Sequence, residues 1–384
     1  MTATPVSGAR PRPPIPGRVG ALDGLRGWAA LGVLIYHLTW ELFGVRFPVF
    51  RSYISVVLSG GGLLAVCTFF ATSGYLLTIH RWHVADNKRL WVQMLRRYVR
   101  LTIPIMGSVL MYYLVLQLGL SFTRPAASIL DRGNWLGAFG RVQPDLLQAI
   151  TFGLYRVYWV APRQNYGPFL WTMAIQLWGS FLILPVAYGH KLLREPYTPL
   201  LFLIVLVLFL YPPAAAMPLG ALIALLQRDG ILFSAPAGRL ESGVATVVFV
   251  ACILVSSAAI EWDTTGQVIQ CLLSGVLLMA CIRSRPLDWL FTRPASRFMS
   301  RISFPIYLVQ CAILISFTSW LVVIAHDSGS LTEWTALGIA LVSTVLTLVV
   351  SWAFLPVETF ATAVVKQLDR WLQPKREPAA VRPS

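Results

Sequence analysis

The chain has 384 residues, 57% of them hydrophobic and 12% charged, with a mean hydropathy of +0.68. That balance excludes a soluble globular domain and makes the lipid bilayer a partner. A net charge of +15 raises nucleic acid as a second partner, so the location of the cations has to decide.

A hydrocarbon core of ~30 Å takes about 20 apolar residues of helix. The sequence predicts an all-α integral membrane protein, a bundle of about ten transmembrane helices near 25–43, 62–80, 99–120, 169–188, 198–211, 213–227, 243–261, 267–283, 302–325 and 334–357. The spans 198–211 and 213–227 meet at Tyr211-Pro212-Pro213 and read as a hairpin or as one broken helix. With both termini cytoplasmic, 24 of the 31 Lys and Arg lie on the inner side, which is the positive-inside bias of a multi-pass protein of the cell membrane. Nucleic acid is not needed to explain the charge.

Residues 1–20 form a Pro- and Arg-rich cytoplasmic tail without an apolar core, so disorder is predicted and targeting falls to the first span. Residues 21–361 form one multi-span domain, and 362–384 a basic, Pro-containing cytoplasmic tail. The loops are short except for 44–61 and the outer loop 121–168, so chemistry has to be done by the bundle. Within the outer loop, 146–160 (LLQAITFGLYRVYWV) is apolar but short for a span and reads as an interfacial or re-entrant segment covering an acceptor entrance. The five cysteines fall in spans without CxxC spacing, which gives neither a disulfide framework nor a zinc site. His80 and His83 share a helix face, but further ligands for a metal are missing, and no metal is expected.

An ionisable group inside a span costs about 2.5–3.5 kcal/mol on insertion scales, so each one is a functional candidate. His37 lies eleven residues after Arg26 in LDGLRGWAALGVLIYH, ~16 Å along a helix. Apolar surroundings disfavour imidazolium, leaving a neutral ring able to accept a proton as a general base. The alternative is a histidine that bridges two helices by hydrogen bonds. Asp23 and Arg26 share a face and pair at the membrane surface, at a site or as an ordinary interfacial pair. LRRYVRLTIP puts Arg97 and Arg100 on one face at the inner mouth of the third span, suited to phosphates or to lipid headgroups. In FFATSGYLLT, Ser73 and Gly74 serve either a buried hydrogen bond and a close approach of substrate, or helix packing. Trp171 and Gln176 enter the fourth span from outside, Tyr307 and Gln310 occupy a similar position on another span, and Glu358 closes the last one. Buried glutamines require partners.

Taken together and in order, these segments resemble the acyltransferase family 3 membrane proteins, which acylate sugars, polysaccharides, lipids and antibiotics. LDGLRGWAALGVLIYH is similar to that family's opening motif, with ten residues between arginine and histidine. FFATSGYLLT resembles its "FF-x-x-SG" segment, LRRYVRLTIP its arginine motif, LWTMAIQ its "LW-x-x-x-x-E" motif, RISFPIYLVQ its "RIS-x-x-x-YL-x-H" motif, and VETFA its closing glutamate segment.

The resemblance implies an O-acyltransferase with no bound cofactor. The co-substrate would be cytoplasmic acyl-CoA, in the first instance acetyl-CoA, and the acceptor a hydroxyl of a sugar or polysaccharide. It implies His37, Arg26 and Asp23 as the catalytic group and Arg97, Arg100, Ser73, Gly74 and Tyr75 along the acyl-CoA path. Trp171, Gln176, Tyr307, Gln310 and Glu358 would serve the acceptor or support the site. Two positions depart from the pattern: Gln176 stands where the family usually has Glu, and Gln310 where it usually has His. Both keep hydrogen bonding and lose proton exchange at neutral pH. Two other readings are a glycan or lipid transporter with His37, Gln176 and Gln310 along its pathway, and a catalytically silent relative that binds acyl-CoA.

Overall fold

In an apolar medium the backbone has to satisfy its own N–H and C=O groups, so long runs of Leu, Val, Ile and Phe fold as helices. The computed structural model describes residues 16–53, 57, 61–80, 87–159, 165–189, 195, 197–233, 236–258 and 263–372. Among them the principal helices are α1 (Pro16–Tyr36), α2 (Leu63–Thr78), α3 (Asn87–Gln117), α4 (Trp171–Gly189), α5 (Thr198–Leu210), α6 (Ala216–Arg228), α7 (Arg239–Ala258), α8 (Thr264–Arg283), α9 (Pro294–Ile313), α10 (Glu333–Ala353) and α11 (Leu355–Leu372).

Six helical runs among the described residues are long and apolar enough to cross a membrane: Leu90–Gln117, Pro168–Gly189, Arg239–Ala258, Thr264–Arg283, Pro294–Asp327 and Glu333–Leu372. The apolar helices Leu63–Thr78 and Thr198–Leu210 are shorter. This is an all-α, multi-pass membrane architecture. The break between α5 and α6 is a 3₁₀ turn, Pro212–Ala215. The first helix begins at Pro16, inside the segment read as a tail, and α11 continues to Leu372; residues 1–15 and 373–384 lie outside the described residues.

Helix α1 runs through the middle of the bundle, against α2, α8, α9 and the short helix Arg285–Phe291. Its two halves serve different cores. Ala21, Leu22 and Leu25 join Phe70, Met217 and Leu278 in one apolar cluster, whereas Ala30, Leu34, Leu38 and Leu42 join Tyr112, Phe152 and Ile306 in another. The spacing 30, 34, 38, 42 is one face of a helix. Arg26 falls at the handover between the clusters.

The glycines of the opening motif set how near α1 comes to its neighbours. A Cβ at Gly24 would run into the Phe291 carbonyl, and one at Gly27 into the backbone of Met299 and Ser300 in α9. Small residues at such crossings let backbones touch. Helices α2 and α6 cross in the same way, with Gly74 against the Met217 carbonyl and Gly220 against that of Ala71.

Two helices widen at the same level of the bundle. α1 passes into a π-helix, His37–Phe43, and α9 into another, Leu314–Thr318. Such turns are rare and concentrate at functional sites. Over them lies the outer loop, built from the short helices Thr123–Ile129, Leu136–Phe139 and Leu146–Leu154. Asp145 starts the last of these by accepting from the Gln148 N–H at 2.9 Å. The segment expected to be interfacial or re-entrant is this helix followed by a 3₁₀ turn, Arg156–Tyr158, both packed on neighbouring helices, with 160–164 outside the described residues.

Candidate active site

Two polar regions lie along α1. The first is a cleft enclosing about 840 Å³, counting its part open to solvent, lined among others by Arg26, Ser73, Arg97, Arg100, Gln176 and Glu358. Residues from six helices meet there, Phe304 of α9 included. Arg97 donates through Nη2 to Gln176 Oε1 at 2.6 Å and through Nε to Ser180 Oγ at 3.0 Å, while Gln176 Nε2 reaches Ser73 Oγ at 3.3 Å. Gln176 is 2% exposed, so these bonds answer the requirement of a buried amide. Arg26 lies 3.7 Å from Asp23 and 4.7 Å from the centre of the Phe69 ring, and its buried Nε has no hydrogen-bond partner. Arg100 and Glu358 lie within electrostatic reach of Arg26. Three guanidinium groups and one carboxylate leave the lining cationic.

An apolar pocket enclosing about 340 Å³, counting its part open to solvent, adjoins this cleft, with Phe69 common to both linings. It is lined by Ala29, Val33, Ala65 and Phe70 and ends at Thr172 and Tyr307. Thr172 Oγ1 donates to the Tyr307 hydroxyl at 2.6 Å, leaving the tyrosine's own O–H proton for another acceptor.

One helical turn beyond Tyr307 lies the second region. Gln310, 2% exposed, points its Nε2 at the Tyr307 carbonyl, 3.3 Å away, and its Oε1 at His37 Nδ1, 3.2 Å away. The first bond orients the amide and therefore the second. An amide oxygen only accepts, so Nδ1 carries the proton and Nε2 holds the lone pair. The imidazole is stacked on Phe169, with ring centres 4.0 Å apart and planes 5° apart, and Trp135 lies 6.3 Å from it. Packing holds the ring in one plane. Farther out, Glu41 accepts from the Tyr36 hydroxyl at 3.3 Å and forms an ion pair with Arg132, whose guanidinium lies 5.1 Å from the Trp135 ring centre. Burial lowers the Arg132 guanidinium from its ordinary value, Glu41 opposes that, and Arg51 adds to it.

The expected residues thus divide. Asp23, Arg26, Ser73, Arg97, Arg100, Gln176 and Glu358 come together at or beside the cleft, and His37, Tyr307 and Gln310 at the second region. Gly74 and Tyr75 belong to packing instead. Gly74 is the contact with α6, and Tyr75 donates to Gln227 Oε1 at 2.7 Å. Trp171 rests edge-on against Tyr211, 6.0 Å between centres. Its neighbour Thr172, not anticipated, makes the bond to Tyr307. Ser180, Phe169, Trp135, Glu41 and Arg132 also went unforeseen; of these, Glu41, an ionisable group inside the first predicted span, and Ser180, one turn after Gln176, carried a sequence signal. Among the described residues no group of three metal-ligating side chains occurs, and His83 lies outside them.

The acyltransferase domain model Acyl_transf_3 matches residues 19–355. The chain belongs to acyltransferase family 3. This acyltransferase is 31% identical to O-acetyltransferase OatA of Staphylococcus aureus over 123 residues, which cover 30% of the chain and 18% of that relative. It is 27% identical to peptidoglycan O-acetyltransferase OatA of Listeria monocytogenes over 182 residues, 43% of the chain and 24% of the relative. The acyltransferase therefore matches under a quarter of the length of either relative. No solved structure matches it. Enzyme class and membrane setting follow from the family and the apolar helices.

Proposed function

We propose that this enzyme transfers an acetyl group from cytoplasmic acetyl-CoA to a hydroxyl of a carbohydrate at the cell membrane, with His37 as general base. One observation carries the reading: a single apolar pocket has in its lining both Phe69, which also lines the cationic cleft, and Tyr307, one turn from the Gln310 that bonds to His37. Arg26, Arg97 and Arg100 would hold the phosphates of the donor, as guanidinium groups hold oxyanions by charge-assisted bonds. The thioester would lie in the apolar pocket.

In the reaction the acceptor's O–H proton passes to His37 Nε2 as its oxygen forms a bond to the thioester carbonyl carbon. The C–S bond then breaks, and the proton returns to the departing sulfur, giving an ester and free CoA. Gln310 holds the required tautomer, and the Tyr307 O–H is the donor nearest that level of the pocket for the developing oxyanion. A proton relay through residues 176 and 310 is not part of this scheme, which is compatible with glutamine at both. A carbohydrate acceptor agrees with the similarity to a peptidoglycan O-acetyltransferase. Ten spans with both termini inside, the arrangement that the positive-inside bias of Lys and Arg favours, would put the cleft on the cytoplasmic face.

The test is transfer of radiolabelled acetyl from acetyl-CoA into glycan and lipid fractions of membranes holding wild type, His37→Ala or Arg26→Ala at matched levels. Label in the glycan fraction that disappears with His37→Ala supports the reading. Equal labelling by wild type and His37→Ala refutes the base, and absence of labelling by the wild type refutes acetyl transfer from this donor.

A further inference from the structure

The mechanism above leaves the outermost polar cluster unused. Glu41 and Arg132 form an ion pair whose side chains are only 18% and 14% exposed, and the Nε–H of Arg132 is buried without a hydrogen-bond partner. A pair withdrawn from water to this extent seldom repays its desolvation in stability, and an orphaned donor beside it adds a cost. The cluster is held in place from both sides. Glu41 follows His37 by four residues within the same π-helix, and Arg132 precedes Trp135, which flanks the His37 ring, by three. Aromatic rings surround the charges: Tyr36 bonds to Glu41, Trp40 stacks on Tyr36 with centres 6.0 Å apart, and Arg51 lies over Trp40.

A carboxylate that accepts, a guanidinium that donates, and bordering aromatic rings are the chemistry that recognises a neutral sugar. The hydroxyl groups of a pyranose donate to the one and accept from the other, and its C–H faces lie against rings. We infer that Glu41 and Arg132, framed by Tyr36, Trp40 and Trp135, bind the carbohydrate acceptor and present one of its hydroxyls to His37. The inference rests on the acyltransferase reading and names its acceptor subsite. Glu41 and Arg132 are positioning residues, since His37 meets the reacting oxygen.

The experiment uses the full chain in detergent and the N-acetylglucosamine tetramer as probe. Binding of the tetramer is measured calorimetrically on His37→Ala protein, alone and with Glu41→Gln, Arg132→Gln or Arg132→Lys added. Kinetics of transfer are measured with the same three changes in the wild-type background, varying tetramer and acetyl-CoA in turn, and a thermal unfolding midpoint confirms that each variant is folded. The expected result is that Glu41→Gln and Arg132→Gln weaken tetramer binding and raise its KM at least about tenfold, as loss of a hydrogen bond to a charged group does. The KM for acetyl-CoA stays within about twofold, and Arg132→Lys recovers part of the loss.

If folded variants keep the wild-type tetramer affinity and KM, the pair is only a clip between loop and helix and the inference falls. No tetramer binding by the His37→Ala protein overturns it as well. Binding that depends on Glu41 and Arg132, in a wild type that transfers nothing, would retain the sugar subsite and refute the acetyl-transfer reading instead.

Discussion

The two polar regions on α1 handle charge in opposite ways. In the inner cleft, Arg97 donates to an amide and a hydroxyl, Gln176 and Ser180, in a lining where three guanidinium groups meet one carboxylate. In the outer region, Arg132 faces Glu41 directly and aromatic rings fill the surroundings. An excess of guanidinium groups leaves a net field that attracts a polyphosphate, while a carboxylate facing a guanidinium suits an uncharged polyol. The difference shows why a count of charges in a sequence says little about ligands until their partners are known.

The comparison is broken most severely at its meeting point. His37→Ala is expected to lower acetyl transfer about 10²- to 10⁴-fold with little change in the KM for acetyl-CoA, read from steady-state kinetics. Arg97→Ala should act on the inner side alone, raising the acetyl-CoA KM about 10- to 100-fold at unchanged acceptor KM, the worth of charge-assisted bonds. Gln310→Leu removes the group that fixes the imidazole tautomer and should slow turnover about tenfold while both KM values hold, measured with donor and acceptor saturating. Gly74→Ala sharpens the comparison from outside it. Its methyl group meets the Met217 carbonyl, so the thermal midpoint in detergent should fall, by a destabilisation of about 1–3 kcal/mol, and the transfer rate per folded molecule should stay the same. A wild-type midpoint for Gly74→Ala would show that α6 yields at this crossing.

Much of the bundle was legible because its signals are local. Apolar runs gave the helices, and Gln176 and Gln310 announced themselves as buried amides in need of partners. Neighbouring residues of one helix part company in the fold. Ser73, Gly74 and Tyr75 are consecutive and were assigned together, but successive helical residues point about 100° apart, so one lines the cleft, one touches α6 and one bonds to Gln227. The same rotation separates Trp171 from Thr172. Glu41 and Arg132 could not be paired in advance, because they lie 91 positions apart and join only when the outer loop folds over α1. The tail boundary was missed at Pro16, where proline is well suited to the first turn of a helix.

The π-helical stretch at His37–Phe43 carries a consequence for how the enzyme changes over time. A widened turn is an α-turn with one residue to spare. Removing a single residue there would restore ordinary winding and redraw the widened turn that carries His37 and Glu41, while Arg26, earlier in the chain, kept its place. The two ends of α1 are in this sense separable: a one-residue change in the widened turn alters the His37 end and leaves the Arg26 end as it was.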